Sequence, residues 1–79
     1  MLKSTNYHFI YIGSTPDIER RFDEHNSGKV KSTKFYAPLK LVYYEAYVDK
    51  NDAIAREQKL KHHGSVIGHL KKRLKNTLK

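Results

Sequence analysis

The chain contains no cysteine, which rules out both a disulfide framework and a zinc site built from thiolates. It also has no apolar run long enough for a secretory leader or a membrane-crossing helix, so a soluble, cytoplasmic protein with no membrane association is expected. A phosphate-binding glycine loop, a His-Glu-x-x-His metal motif and a serine or cysteine triad are all absent, so those chemistries have no carrier here. Apolar residues are sparse at 38%, yet they fall in periodic groups, and periodicity is the mark of a folded chain. Seventy-nine residues suffice for one small core, so a single domain spanning 1–79 is expected. Acids are scarce too: 8 Asp and Glu stand against 16 Lys and Arg, and none follows Glu57.

That imbalance gives a net charge of +8 and makes it one-sided. Lys59, Lys61, Lys71, Lys72, Arg73, Lys75 and Lys79 all lie beyond the last acid. Lys29, Lys31 and Lys34 form a second basic group, interleaved with Ser32, Thr33 and aromatics. Concentrated positive charge on a small domain is the footprint of a polyanion binder, and equally of a lysine-rich solubilising surface.

The pattern predicts the element order β-β-α-β-α-α. Leu2 and Lys3 read as the end of a short strand, followed by a strand over His8–Ile12 that Gly13 breaks. Thr15 as N-cap and Pro16 at the first helical position open a helix running to about Ser27, with Gly28 as its stop. Leu39–Val48 alternates with apolar or aromatic groups on both faces, which predicts a central strand covered on both sides. A helix over Asn51–Lys61 follows, then an interruption at Gly64-Ser65. A last amphipathic helix turns Val66, Ile67, Leu70 and Leu74 inward. The expected class is α+β: a small antiparallel sheet of about three strands, the first truncated, flanked by about three helices.

Two polar groups fall where a core should be. On the first helix Ile18, Phe22 and His25 share a face, and Arg21 lies inside the same stripe while Arg20 looks outward. On the second, Glu57 is the lone acid in a stripe of Ala53, Ile54 and Leu60, with Arg56 and Lys59 outside it. A desolvated guanidinium needs either an acid or a bound anion. One reading is therefore a salt bridge from Arg21 to Glu57. The other makes Arg21 a phosphate clamp and Glu57 a ligand for a hard divalent cation such as Mg²⁺ or Mn²⁺. Tyr11 stands at a strand end just before the glycine, while the other tyrosines read as half-buried packing. The adjacent His62 and His63 face different directions and make a poor metal pair.

Taken in order, these segments resemble the GIY-YIG endonuclease superfamily, in its small single-domain bacterial branch, a group that also includes the N-terminal domain of an excinuclease and certain homing endonucleases. Tyr11-Ile12-Gly13 matches the second half of the family name. Residues 14–28, Leu41-Val42-Tyr43-Tyr44-Glu45 and residues 53–61 continue the similarity across nearly the whole chain. The resemblance implies a metal-dependent nuclease that hydrolyses DNA phosphodiester bonds. By position, Tyr11 matches the tyrosine that helps deprotonate the attacking water, and Arg21 the arginine that stabilises the scissile phosphate. His25 matches a histidine or tyrosine near that water, and Glu57 the glutamate that binds the single cation. Lys29, Lys31, Lys34, Lys71, Lys72, Arg73 and Lys75 are the expected contacts to the DNA backbone. Asn76 is the one candidate for the family's late asparagine. Counting back from Tyr11, the first-motif tyrosine falls at Met1 or before it, so most of that strand, taken as an edge strand, is expected to be missing. The alternative implied by that gap is a DNA-binding module without catalysis.

Overall fold

The computed structural model describes every residue from Met1 to Lys79. Three strands and three α-helices follow one another: β1 (Leu2–Ser4), β2 (Ile10–Tyr11), α1 (Ile18–Asn26), β3 (Leu39–Leu41), α2 (Lys50–His62) and α3 (Gly64–Arg73). A single 3-10 turn, Lys34–Tyr36, precedes β3. The strands form one antiparallel sheet, so the fold is α+β. The chain divides into two compact units, Met1–Tyr43 and Tyr44–Lys79.

In the first unit the strand order is β2-β1-β3, so β1 is the central strand and not the expected edge. Leu2 faces Tyr11 on one side and Leu41 on the other, while Ser4 faces Leu39. The long central strand expected at Leu39–Val48 is not formed. Only Leu39–Leu41 is strand, at the sheet edge. The reason is the partner. β1 offers three residues, and pairing continues through Val42 N–H to the Met1 carbonyl and the Met1 amino group to the Tyr43 carbonyl. Beyond that point Tyr44, Tyr47 and Val48 are exposed, with no ladder to hold them extended.

Helix α1 starts two residues later than expected. The Asp17 carboxylate accepts from Arg20 N–H at 3.1 Å, while Thr15 Oγ1 accepts from Asp17 N–H at 3.1 Å. Both are good caps, and the carboxylate at Asp17 also meets the positive end of the helix dipole. At the other end Gly28 takes φ +76°, Lys29 N–H reaches the Glu24 carbonyl at 3.0 Å, and Gly28 N–H the His25 carbonyl at 3.4 Å. Those two bonds close the helix as a Schellman motif, which needs the left-handed residue that glycine supplies. Asn26 ties the helix to the sheet: its amide donates to the Leu39 carbonyl at 2.8 Å and accepts from Leu39 N–H at 2.6 Å. The small core holds Leu2 and Leu39 together with buried Ser4, His25 and Thr33.

In the second unit Asp49 caps α2 by accepting from Asn51 N–H at 2.7 Å. Extended backbone at His63 separates α2 from α3, one residue before the expected break. Leu60 and Leu70 are buried and Val66, Ile67 and Leu74 half-buried, as the amphipathic pattern anticipates. Arg56, expected on the outer face, is half-buried instead. Its Nε and Nη2 each donate at 3.1 Å to the Glu45 carboxylate, which also accepts from the Tyr47 hydroxyl. No helix is long and apolar enough to cross a membrane.

Candidate active site

Strand β2 and helix α1 bring together three of the residues singled out in the sequence. Tyr11 ends β2, and its ring lies against the His25 imidazole, with centroids 4.5 Å apart and planes tilted by 55°. The backbone after the strand folds back over the same ring. A Cβ on Gly13 would lie 2.7 Å from Tyr11 Cε2 and 3.0 Å from its hydroxyl, so only glycine permits that approach.

Arg21 extends from α1 beside the Tyr11 hydroxyl. That hydroxyl is the main influence raising the guanidinium's pKa above its ordinary value; partial burial opposes it, and Glu24 adds to it. Arg21 Nη1 lies 3.4 Å from Glu24 Oε1, one turn further along α1, and both side chains remain partly solvated. The charge is therefore tethered loosely, and the guanidinium keeps donors free for an anion.

His25 is the buried member, 1% exposed. Its Nδ1 lies 2.6 Å from Oγ1 of Thr33, itself fully buried. Burial first, and the Arg21 charge second, push the imidazole pKa below its ordinary value, with Glu24 partly opposing them. The ring is therefore neutral at pH 7, with one nitrogen protonated. Thr33 Oγ1 also approaches the Val30 carbonyl at 3.5 Å, which gives its hydrogen an acceptor. The proton on Nδ1 then points at Thr33. Nε2, buried and without a hydrogen-bond partner, carries a free lone pair, a lesser cost than an orphaned N–H.

Glu57 stands on α2 in the second unit, its side chain 16% exposed and its Oε2 3.5 Å from Lys61 Nζ. Arg21 and Glu57 thus each find an ion-pair partner within their own helix. No cluster of three or more His, Cys, Asp or Glu side chains forms a metal cage. A lone carboxylate fits a cation such as Mg²⁺, which binds through one or two carboxylates and keeps its other positions for water and substrate phosphate. Lys29, Lys31, Lys34, Lys71, Lys72, Arg73 and Lys75 are all exposed, as is Asn76 in the C-terminal turn.

Sequence reasoning missed Thr33 and Asn26. Thr33 reads as one polar residue in a basic loop, and Asn26 as the tail of a helix. Neither carries a local signal of its partner.

Comparison with known proteins gives a consistent picture. The GIY-YIG catalytic domain matches residues 1–71. A UPF0213 protein from Haloquadratum walsbyi is 36% identical over 67 residues, covering 71% of this chain and 75% of that protein. A UPF0213 protein from Staphylococcus epidermidis is 42% identical over 53 residues, 66% of this chain and 65% of its own length. One from Streptococcus pneumoniae is 44% identical over 52 residues, 65% of this chain and 52% of its own length. The matched stretch thus spans from about half to three quarters of these relatives. No solved structure gives a significant match.

Proposed function

The chain belongs to the GIY-YIG catalytic-domain family, and on that premise we propose that it is a metal-dependent endonuclease hydrolysing DNA phosphodiester bonds. The observation that carries the reading is the convergence of a phenol, a guanidinium and a buried neutral imidazole at Tyr11, Arg21 and His25.

In the proposed reaction a water oxygen forms a bond to phosphorus as the bond to the 3′ oxygen breaks. Tyr11, with the His25 ring packed against it, serves as the general base that takes the water proton. Arg21 offsets the negative charge growing on the phosphoryl oxygens, and in a partly desolvated site that term is large. Glu57 would hold a divalent cation, Mg²⁺ or Mn²⁺, which supplies polarisation of the phosphate and charge for the leaving oxygen when bound. The exposed lysines of residues 29–34 and the basic end of α3, Lys71, Lys72 and Arg73 with Lys75, would hold the DNA backbone without reading bases.

The test is cleavage of supercoiled plasmid with Mg²⁺ or Mn²⁺ by the wild-type protein, beside folded Glu57→Ala and Arg21→Ala. The expected result is metal-dependent nicking, abolished in Glu57→Ala and reduced a hundredfold or more in Arg21→Ala. DNA binding with no nicking by the wild type would replace this reading with the non-catalytic binding module. Turnover unchanged by Arg21→Ala would remove Arg21 from the mechanism.

A further inference from the structure

Four aromatic rings of the first unit form a contiguous group outside the Tyr11 cluster. Phe9 stacks on Tyr36 with centroids 3.8 Å apart and planes within 3°. Tyr36 meets Tyr7 and Phe35 edge-on at 5.8 and 5.6 Å, and Tyr7 and Phe35 lie 6.1 Å apart. Phe9 and Tyr36 are half-buried, but Tyr7 is 50% and Phe35 75% exposed. The chain that carries them is pinned. Ser4 Oγ donates to the Tyr36 carbonyl at 2.8 Å and accepts from Tyr7 N–H at 3.1 Å, and Ser4 N–H bonds the Phe9 carbonyl at 3.0 Å. The two outer rings are thus presented to solvent on a fixed support.

Their surroundings select the occupant. No acid occurs between Glu24 and Glu45, whereas Lys29, Lys31, Lys34 and Lys40 do, and Lys34 shares the 3-10 turn with Phe35. Flat apolar faces on a segment whose only formal charges are positive fit a ligand that is itself flat, aromatic and anionic. Single-stranded nucleic acid has that chemistry, since every unpaired base offers a π-face beside a phosphate. In a continuous duplex those faces are occupied by neighbouring bases. Phe35 also lies two residues from Thr33, the residue that fixes His25, a backbone span of at most about 7 Å.

We propose that Tyr7 and Phe35 form a stacking platform for an unpaired nucleobase, so that this protein takes DNA with a single-stranded segment in preference to continuous duplex. The part of this inference that concerns cleavage rests on the nuclease reading above; the binding part stands without it. Anisotropy of a labelled 12-nucleotide single strand and of the same sequence as duplex, both in EDTA, therefore tests the platform whether or not the protein cleaves. Wild-type protein should favour the single strand. Phe35→Ala, at an exposed position that leaves the core intact, should weaken that binding on the order of tenfold and leave duplex binding within about twofold. An abasic position walked along the strand should lower wild-type affinity at one or two places, which checks the platform without a variant. Equal losses on both substrates, no loss on either, or a change in self-association with DNA binding intact would overturn the proposal. The last outcome would make the aromatic face a protein contact.

Discussion

The Nδ1 of His25 lies 2.6 Å from Oγ1 of Thr33, and both side chains are closed to solvent. A buried imidazole flanked by a cation has little reason to be protonated, and the threonine decides which nitrogen keeps the remaining proton. Thr33 thereby directs the His25 lone pair to Nε2, the polar atom that has no other partner. The residue adds nothing to the list of reactive groups, yet the chemistry open to His25 depends on it.

Replacing Thr33 by valine keeps the shape and removes the acceptor. The Nδ1 proton then has no partner in a buried site, and a loss of about 1–3 kcal/mol is expected. Thr33→Ser should restore most of it. Urea unfolding of both variants gives the comparison, and the nitrogen chemical shifts of His25 report the tautomer directly. Equal stability of the valine and serine variants would show that the contact contributes no net hydrogen bond.

The neutral state of His25 makes stability depend on pH in a definite direction. Burial and Arg21 hold the folded-state pKa below the ordinary value of 6.5, with Glu24 acting the other way. Between those two values the unfolded chain binds more protons than the native one. The histidine's contribution is therefore complete above about pH 6.5, falls as the pH drops toward the folded-state pKa, and is flat below it. Thermal melts from about pH 8 to 5 should show this loss in the wild type and not in His25→Gln. Parallel curves for the two proteins would remove burial as the source of the effect.

Asn26 offers a purely structural prediction. Its side chain makes both a donated and an accepted bond to the Leu39 backbone, and Leu39 is a core residue on the edge strand. Asn26→Ala leaves a buried carbonyl and a buried N–H unpaired, and about 2 kcal/mol or more should be lost. Asn26→Asp keeps the acceptor for Leu39 N–H and loses the donor, so a smaller loss is expected. Hydrogen exchange at Leu39 N–H should quicken sharply in the alanine variant and much less in the aspartate variant.

The contrast between Arg21 and Thr33 shows what was legible in the sequence. Helical periodicity alone turns His25 inward and Arg20 outward, because residues three and four apart share a face; Arg21, in the same stripe, keeps its side chain 40% exposed, and Ile18 is exposed too. Gly28 is readable as a stop for an equally local reason, since the αL position past a helix end favours glycine. Glu57 is likewise half-buried where the stripe on α2 places it. Thr33 and Asn26 act across eight and thirteen residues, on partners that only the folded chain brings to them. The same dependence explains the misread strand. Alternation in Leu39–Val48 is genuine, but a ladder extends only as far as its neighbour, and β1 is three residues long. That β1 would be central was hidden for a related reason: strand order is a property of pairing, not of any one segment.

Gly13 provides a way to disturb the site without disturbing the fold. Its φ is not in the left-handed region, so alanine is compatible with the backbone, and the position is exposed. Stability should change by no more than about 1 kcal/mol, with some stabilisation if the unfolded chain is stiffened. The added Cβ nevertheless falls 2.7 Å from Tyr11 Cε2, and the ring is the part able to give way. Its displacement separates the Tyr11 hydroxyl from Arg21 and breaks the 4.5 Å contact with His25. Misplacing a reacting group by about an ångström costs on the order of a hundredfold in rate. Gly13→Ala should therefore melt like the wild type, show altered Tyr11 ring resonances, and nick plasmid at about a hundredth of the wild-type rate. Full activity with a shifted ring would mean that the position of Tyr11 does not control the reaction, and its role as general base would have to be abandoned.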